Sequence, residues 1–267
     1  MAQEKEMSFL DHLEELRWHI IRSTIAIIAA ATIAFLGKSF LFDELIFGPT
    51  KTDFFTYDFL CRASSIIGYD SFCNTVFDFE VQSRTMAGQF SAHIWTSITF
   101  GFVIAFPYVL YEFWKFVSPG LYSKERKNSK GFLFFSSLLF FIGVLFGYYV
   151  ICPLSINFLG TYSVADQVHN DFDLNSYIGL VRASVLASGF IFELPIIIYY
   201  LTKIGLVTPQ FLKNNRKYAL VIVLIVAAII TPPDVASQII VAIPVIILYQ
   251  VSILISKIVI KKQKRKT

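Results

Sequence analysis

Charge is scarce in this chain. Asp, Glu, Lys and Arg make up 16% of its 267 residues, against about 25% in a typical soluble domain. Meanwhile 55% of the residues are hydrophobic and 16% aromatic, and mean hydropathy is +0.63. This balance excludes an ordinary soluble domain and predicts an integral membrane protein. Cysteine is equally sparse, and Cys61, Cys73 and Cys152 form no CxxC or Cys/His cluster, so no metal site is expected. There is no HExxH, no GxSxG and no phosphate-binding glycine loop. None of His12, His19, His93 and His169 is read as lying inside a span beside a serine or an acid pair, so neither enzymatic chemistry nor a cofactor is expected. The net charge is only +4, with the bases clustered, which argues against a nucleic-acid partner. No cleavable leader is expected, because residues 1–15 are polar and acidic.

Long apolar runs are what the chain does have. A spanning helix needs roughly 20 apolar residues to cross about 30 Å of hydrocarbon. Six candidates occur, at residues 18–36, 94–113, 132–151 (closed by Pro153), 177–201, 218–230 and 239–255. The reading is one all-α, six-span membrane domain over residues 1–267, with an outer loop at 40–93 and a basic tail at 257–267. The last two runs give only about 20 and about 26 Å of helix, so they are expected to form a short hairpin that thins the bilayer. With the N-terminus inside, eighteen of the 23 basic residues fall on the inner side, which places both termini in the cytoplasm.

Several polar features stand out against this background. Residues 8–17 read as a short amphipathic helix ahead of the first span, with Phe9, Leu10, Leu13 and Leu16 at helical spacing and Asp11, Glu14, Glu15 and Arg17 on the other faces. The inner loop at 113–130 carries a Pro119-Gly120 turn and one acid, Glu125, among bases. Glu193 and Arg182 are read as the charges set well inside an apolar run, and a carboxylate at that depth marks a polar cavity or a partner. Asp234 and Gln238 form a polar cap at the outer turn between the last two spans. In the outer loop, Cys61 and Cys73 are read either as a disulfide or as two free buried thiols, and Cys152 as packing.

These motifs resemble those of the TatC family, the multispanning receptor subunit of the twin-arginine protein translocase. His12-Leu13-Glu14-Glu15-Leu16-Arg17 is similar to its N-terminal HLxELR signature, and Phe116 with residues 118–126 to its first cytoplasmic loop. Phe192-Glu193-Leu194-Pro195 resembles the FExP element, and residues 231–238 the TPPDxxSQ turn. Departures are the long outer loop, Arg182 in place of an apolar residue, and Trp18 and His19 where basic residues are common.

The resemblance implies a receptor in the bacterial inner membrane that binds twin-arginine signal peptides of folded cargo at its cytoplasmic face. It also implies assembly with small single-span subunits of the TatA/TatB type and with further copies of itself, among membrane lipids, in an export complex driven by the proton-motive force. By motif, Glu15 and Glu125 receive the paired arginines, as carboxylates hold guanidinium groups through bidentate charge-assisted bonds. Leu16, Phe116, Leu121 and Tyr122 pack the apolar residues that follow, while Arg17 and Arg126 orient the acids. Glu193 lies in a concave cavity as the contact for a partner span, and Pro49, Asp234 and Gln238 shape the outer cap. The alternative is a proton-coupled small-solute transporter using Glu193, which the absence of paired broken helices disfavours.

Overall fold

The computed structural model describes residues 9–66, 79–117, 129–165, 167–168, 170–230 and 235–264. The described chain is mostly helical, in the order α1 (Phe9–Leu36), α2 (Phe55–Ile66), β1 (Glu80–Gln82), α3 (Gly88–Val117), α4 (Ser129–Phe146), α5 (Cys152–Thr161), β2 (Asp171–Asp173), α6 (Leu174–Phe192), α7 (Leu194–Lys203), α8 (Pro209–Asn214), α9 (Arg216–Ile230) and α10 (Val235–Lys264). Five stretches among these residues are long and apolar enough to cross a membrane: His12–Leu36, Gly88–Val117, Gly131–Thr161, Leu174–Lys203 and Gln238–Gln263.

Two compact units emerge, one of residues 1–41 and 93–137, the other of residues 42–92 and 138–267. In the first, α1 and α3 run antiparallel. Phe35 stacks on His93 at 3.9 Å between ring centroids, and His12 stacks on Phe116 at 4.4 Å. Between these ends Gly101 lets the two backbones touch: a Cβ there would lie 2.5 Å from the Ala31 nitrogen. Ala31 and Ala34 are accordingly buried, and small residues at such a crossing are the usual means of close helix approach in membranes.

The second unit is centred on a core of Ile46, Ala92, Cys152, Ile156, Tyr177, Ile178 and Val181. Three phenols tie the irregular outer segment to it. Tyr57 donates to the carbonyls of Pro49 (2.8 Å) and Pro153 (3.2 Å), Tyr148 to Leu45 (2.8 Å), and Tyr177 to Ile46 (2.7 Å). Strands β1 and β2 pair in parallel, Glu80 opposite Asp171. Asp173 caps α6 by accepting from the amides of Asn175 and Ser176. Helices α9 and α10 form an antiparallel hairpin through Val223, Ala242 and Val245, and through Ala227 and Val241. Gln238 donates to the Leu224 carbonyl across it (3.0 Å).

Three expectations about helix bounds are corrected. The amphipathic segment is not a separate helix; from Phe9 it continues into the first span as one 28-residue helix, because no glycine or proline interrupts it. Pro153 does not close the third span, which runs to Thr161. Residues Gly147–Ile151 form a π-helical turn, and the Tyr149 carbonyl, which would face the missing prolyl N–H, accepts from the Thr56 hydroxyl instead. The sixth span is not short: α10 has 30 residues, with Pro244 inside it. Its lysines continue the helix through Lys264, so the basic tail is helical over much of its length, lysine being a good helix former. The fifth helix is short, at 15 residues or about 22 Å.

Candidate functional site

Two stripes of polar side chains face each other where the N-terminal part of α1 meets the C-terminal part of α3. Helical periodicity creates both: His12, Glu15, His19 and Arg22 recur at spacings of three and four on α1, and Tyr108, Glu112 and Lys115 do so on α3. At the centre is Glu112, only 2% exposed. An unpaired buried carboxylate costs several kcal/mol, and here the surroundings compensate it. His19, itself buried, brings Nδ1 to 2.6 Å from Glu112 Oε2. The Arg22 guanidinium stands 3.9 Å from the same oxygen, Lys115 Nζ stands 3.9 Å from Oε1, and the Tyr108 phenol also reaches the carboxylate.

The other ring nitrogen of His19 faces Glu15, whose Oε1 is 4.0 Å away. Glu15 Oε2 is enclosed yet accepts no hydrogen bond from the described residues, although the side chain as a whole is 37% exposed. Such an oxygen suits a donor arriving from outside. A cation carrying several N–H groups is the chemistry that fits, since it neutralises the acid while satisfying its free lone pairs. Among the described residues no group of three or more His, Cys, Asp or Glu could hold a metal ion.

The expected site residues fare unevenly. Phe116 is half-buried against His12 and meets the His19 ring edge-on at 6.2 Å, so the structure brings it to Glu15's surroundings; Leu16 is also half-buried. Arg17 is exposed, with its guanidinium 5.9 Å from the Trp18 ring centroid, and the side chain beside Glu15 is His19. Leu121, Tyr122, Glu125 and Arg126 lie outside the described residues, as do Cys73 and Asp234.

His19 corrects the reading that no histidine of the chain sits beside an acid pair. It lies between Glu15 and Glu112, and Glu112 is a buried charge that inspection of apolar runs passed over because it stands at the end of one. The signal available was the pair of stripes themselves, titratable side chains at helical spacing on two neighbouring runs.

Elsewhere, Glu193 is buried at the break between α6 and α7. Pro195 cannot donate to the Ile191 carbonyl, and the Glu193 amide turns back to that group and to Phe190. Pro49 is buried, with its carbonyl held by Tyr57. Burial pushes the Tyr57 phenol's ionisation up, so it remains a donor. Cys61 is disulfide-bonded, whereas Cys152 is free and buried in the core, as packing requires.

The model of the family "Sec-independent protein translocase protein (TatC)" matches residues 11–244 of the chain. The TatC protein of Blattabacterium sp. subsp. Periplaneta americana is 46% identical over 266 residues, covering 98% of this chain and 100% of that protein. That of Desulforapulum autotrophicum is 36% identical over 264 residues, covering 98% and 89%. A crystal structure of the twin arginine translocase receptor TatC superimposes with a TM-score of 0.69 at 33% identity, over 93% of this chain and 99% of that one.

Proposed function

This chain belongs to the TatC family of Sec-independent protein translocase components, and from that premise we propose that it is the subunit that receives twin-arginine signal peptides. Folded cargo carrying such a peptide approaches the cytoplasmic face of the bacterial inner membrane, where Glu15 takes one guanidinium group and Glu125 the other. Leu16, Phe116, Leu121 and Tyr122 pack the apolar residues that follow the arginine pair. Single-span subunits of the TatA/TatB type assemble with further copies of this chain around the bound cargo, Glu193 meeting a polar residue of a partner span, and the proton-motive force drives transport.

The observation that carries this reading is Glu15 itself, a carboxylate whose enclosed Oε2 has no donor among the described residues. Guanidinium is the best-matched cation, because its planar fork can engage both oxygens whereas an ammonium acts as a point charge. The test is export of a folded fluorescent reporter bearing a twin-arginine signal, in cells that lack their own TatC and carry this protein. Glu15→Lys and Glu125→Lys are each expected to abolish export by reversing the charge, with the membrane level of the subunit unchanged. Wild-type export by either variant would overturn the reading.

A further inference from the structure

We propose that Glu112, acting through His19, is the positioning residue of the cation site: it fixes the imidazole so that His19 holds the Glu15 carboxylate in place for its ligand. This inference rests on the receptor reading above and adds to it two residues that make no contact with the peptide.

Glu112 is too deeply buried to bind cargo, yet a carboxylate at that depth destabilises the fold unless the site gives a reason for it. Its closest partner is a single atom, His19 Nδ1 at 2.6 Å. A bond this short sets the ring's orientation, and the opposite nitrogen then points along a fixed line toward Glu15. Among the described residues Glu15 from α1 and Glu112 from α3 face the imidazole, with the Phe116 ring at its edge, while Arg22, Lys115 and the Tyr108 phenol lie against the Glu112 carboxylate. Two acids flank the ring, Glu112 at Nδ1 and Glu15 on the side of Nε2.

Glu15 lies on the first turns of a helix and is 37% exposed, well above His19 and Glu112. Left alone, its three side-chain torsions would have to be fixed at the moment of binding, at a cost in side-chain entropy. An imidazole anchored from behind stands 4.0 Å from Oε1, while the enclosed Oε2 keeps its lone pairs free of any donor among the described residues. Arg22 and Lys115 lie against the Glu112 carboxylate, each at 3.9 Å, so the positive side of the network does not occupy the ligand's place.

The experiment uses the full chain in lipid nanodiscs and a fluorescein-labelled peptide with paired arginines, read by anisotropy. Glu112→Gln is expected to weaken binding about tenfold or more, the scale of losing one charge-assisted hydrogen bond. His19→Arg, which keeps a cation bridging two acids, is expected to bind within about threefold of wild type, while His19→Leu loses about tenfold. A purely structural role predicts instead that affinity falls in step with the thermal midpoint in every variant, so the midpoint of each is measured alongside its binding. On a Glu15→Gln background, Glu112→Gln is expected to add no further loss, the mark of two residues acting as one.

Wild-type affinity in Glu112→Gln, tighter binding by His19→Leu than by His19→Arg, or additive losses would each overturn the positioning role. If Glu112→Gln yields no folded protein, the two His19 variants decide the same question. Loss of binding in Glu15→Gln together with none in Glu112→Gln sinks this inference alone, whereas wild-type binding by Glu15→Gln sinks the receptor reading beneath it.

Discussion

The Tyr57 hydroxyl serves two prolyl carbonyls at once, Pro49 and Pro153. Removing the hydroxyl leaves two buried acceptors without their donor, a loss of about 1–3 kcal/mol. Tyr57→Phe is therefore expected to lower the thermal midpoint of the detergent-solubilised protein by several degrees without changing its helical content. The same group sets a pH dependence. Its folded-state ionisation is raised above the unfolded value, so its contribution is fully present below about pH 10, the ordinary tyrosine value, and is lost as pH rises beyond it. Thermal midpoints measured from pH 8 to 11 should fall at the alkaline end in the wild type, and less steeply in Tyr57→Phe. An equal slope in both would show that Tyr57 is not among the groups responsible.

At the scale of elements, the α1 and α3 pair is the part of the structure on which Glu15, His19 and Glu112 all depend, and its contact is made by Gly101 against the backbone of Ala31. A side chain at Gly101 must push two helices apart, since the atoms it meets are main-chain atoms that cannot rotate away. Gly101→Leu is expected to destabilise the protein by about 1–3 kcal/mol and to weaken peptide binding by separating His19 from Glu112. Gly131→Ala, where a Cβ meets nothing within 4 Å, should instead be neutral or gain about 0.4–1 kcal/mol by restricting the unfolded chain. Comparing the two by thermal melt separates steric from conformational effects, and equal effects would refute the close-approach argument.

The helices are legible in the sequence as apolar runs, but their ends are not, since α10 continues through lysines that no apolar run marks. Prolines misled where backbone chemistry elsewhere absorbed them: the Tyr149 carbonyl freed by Pro153 found Thr56, 93 residues away in sequence. The His19 and Glu112 contact is equally remote, also 93 residues. Composition and periodicity report which face of a helix is polar, but not which other face it will meet, so the motif singles out Glu15, whereas the contact of His19 with Glu112 needs the antiparallel register of α1 and α3.

For the molecule as a whole, the number of crossings turns on α9. Five stretches are long enough to cross a membrane, and an odd number of crossings would put the chain ends on opposite faces, whereas counting α9 as a sixth puts them together. Helix α9 alone reaches about 22 Å, short of the hydrocarbon thickness. Its partner helix compensates, because Val223 and Ala227 pack on Val245 and Val241 and the two arms share one end. At that end the charges gather: the Lys257 ammonium on α10 holds Lys213, just before α9, below the ordinary lysine range, with Arg216 adding to the effect. Two basic ends at one level, joined through an apolar hairpin, fit a pair of antiparallel crossings whose open end faces the cytoplasm. Lys217→Cys and Lys261→Cys are therefore expected to react with a membrane-impermeant maleimide from the same side, protected in intact cells and labelled in inverted vesicles, above the background of the parent protein. Labelling of the two positions from opposite sides would mean that α9 does not cross, and with it the placement of both chain ends in the cytoplasm would fail.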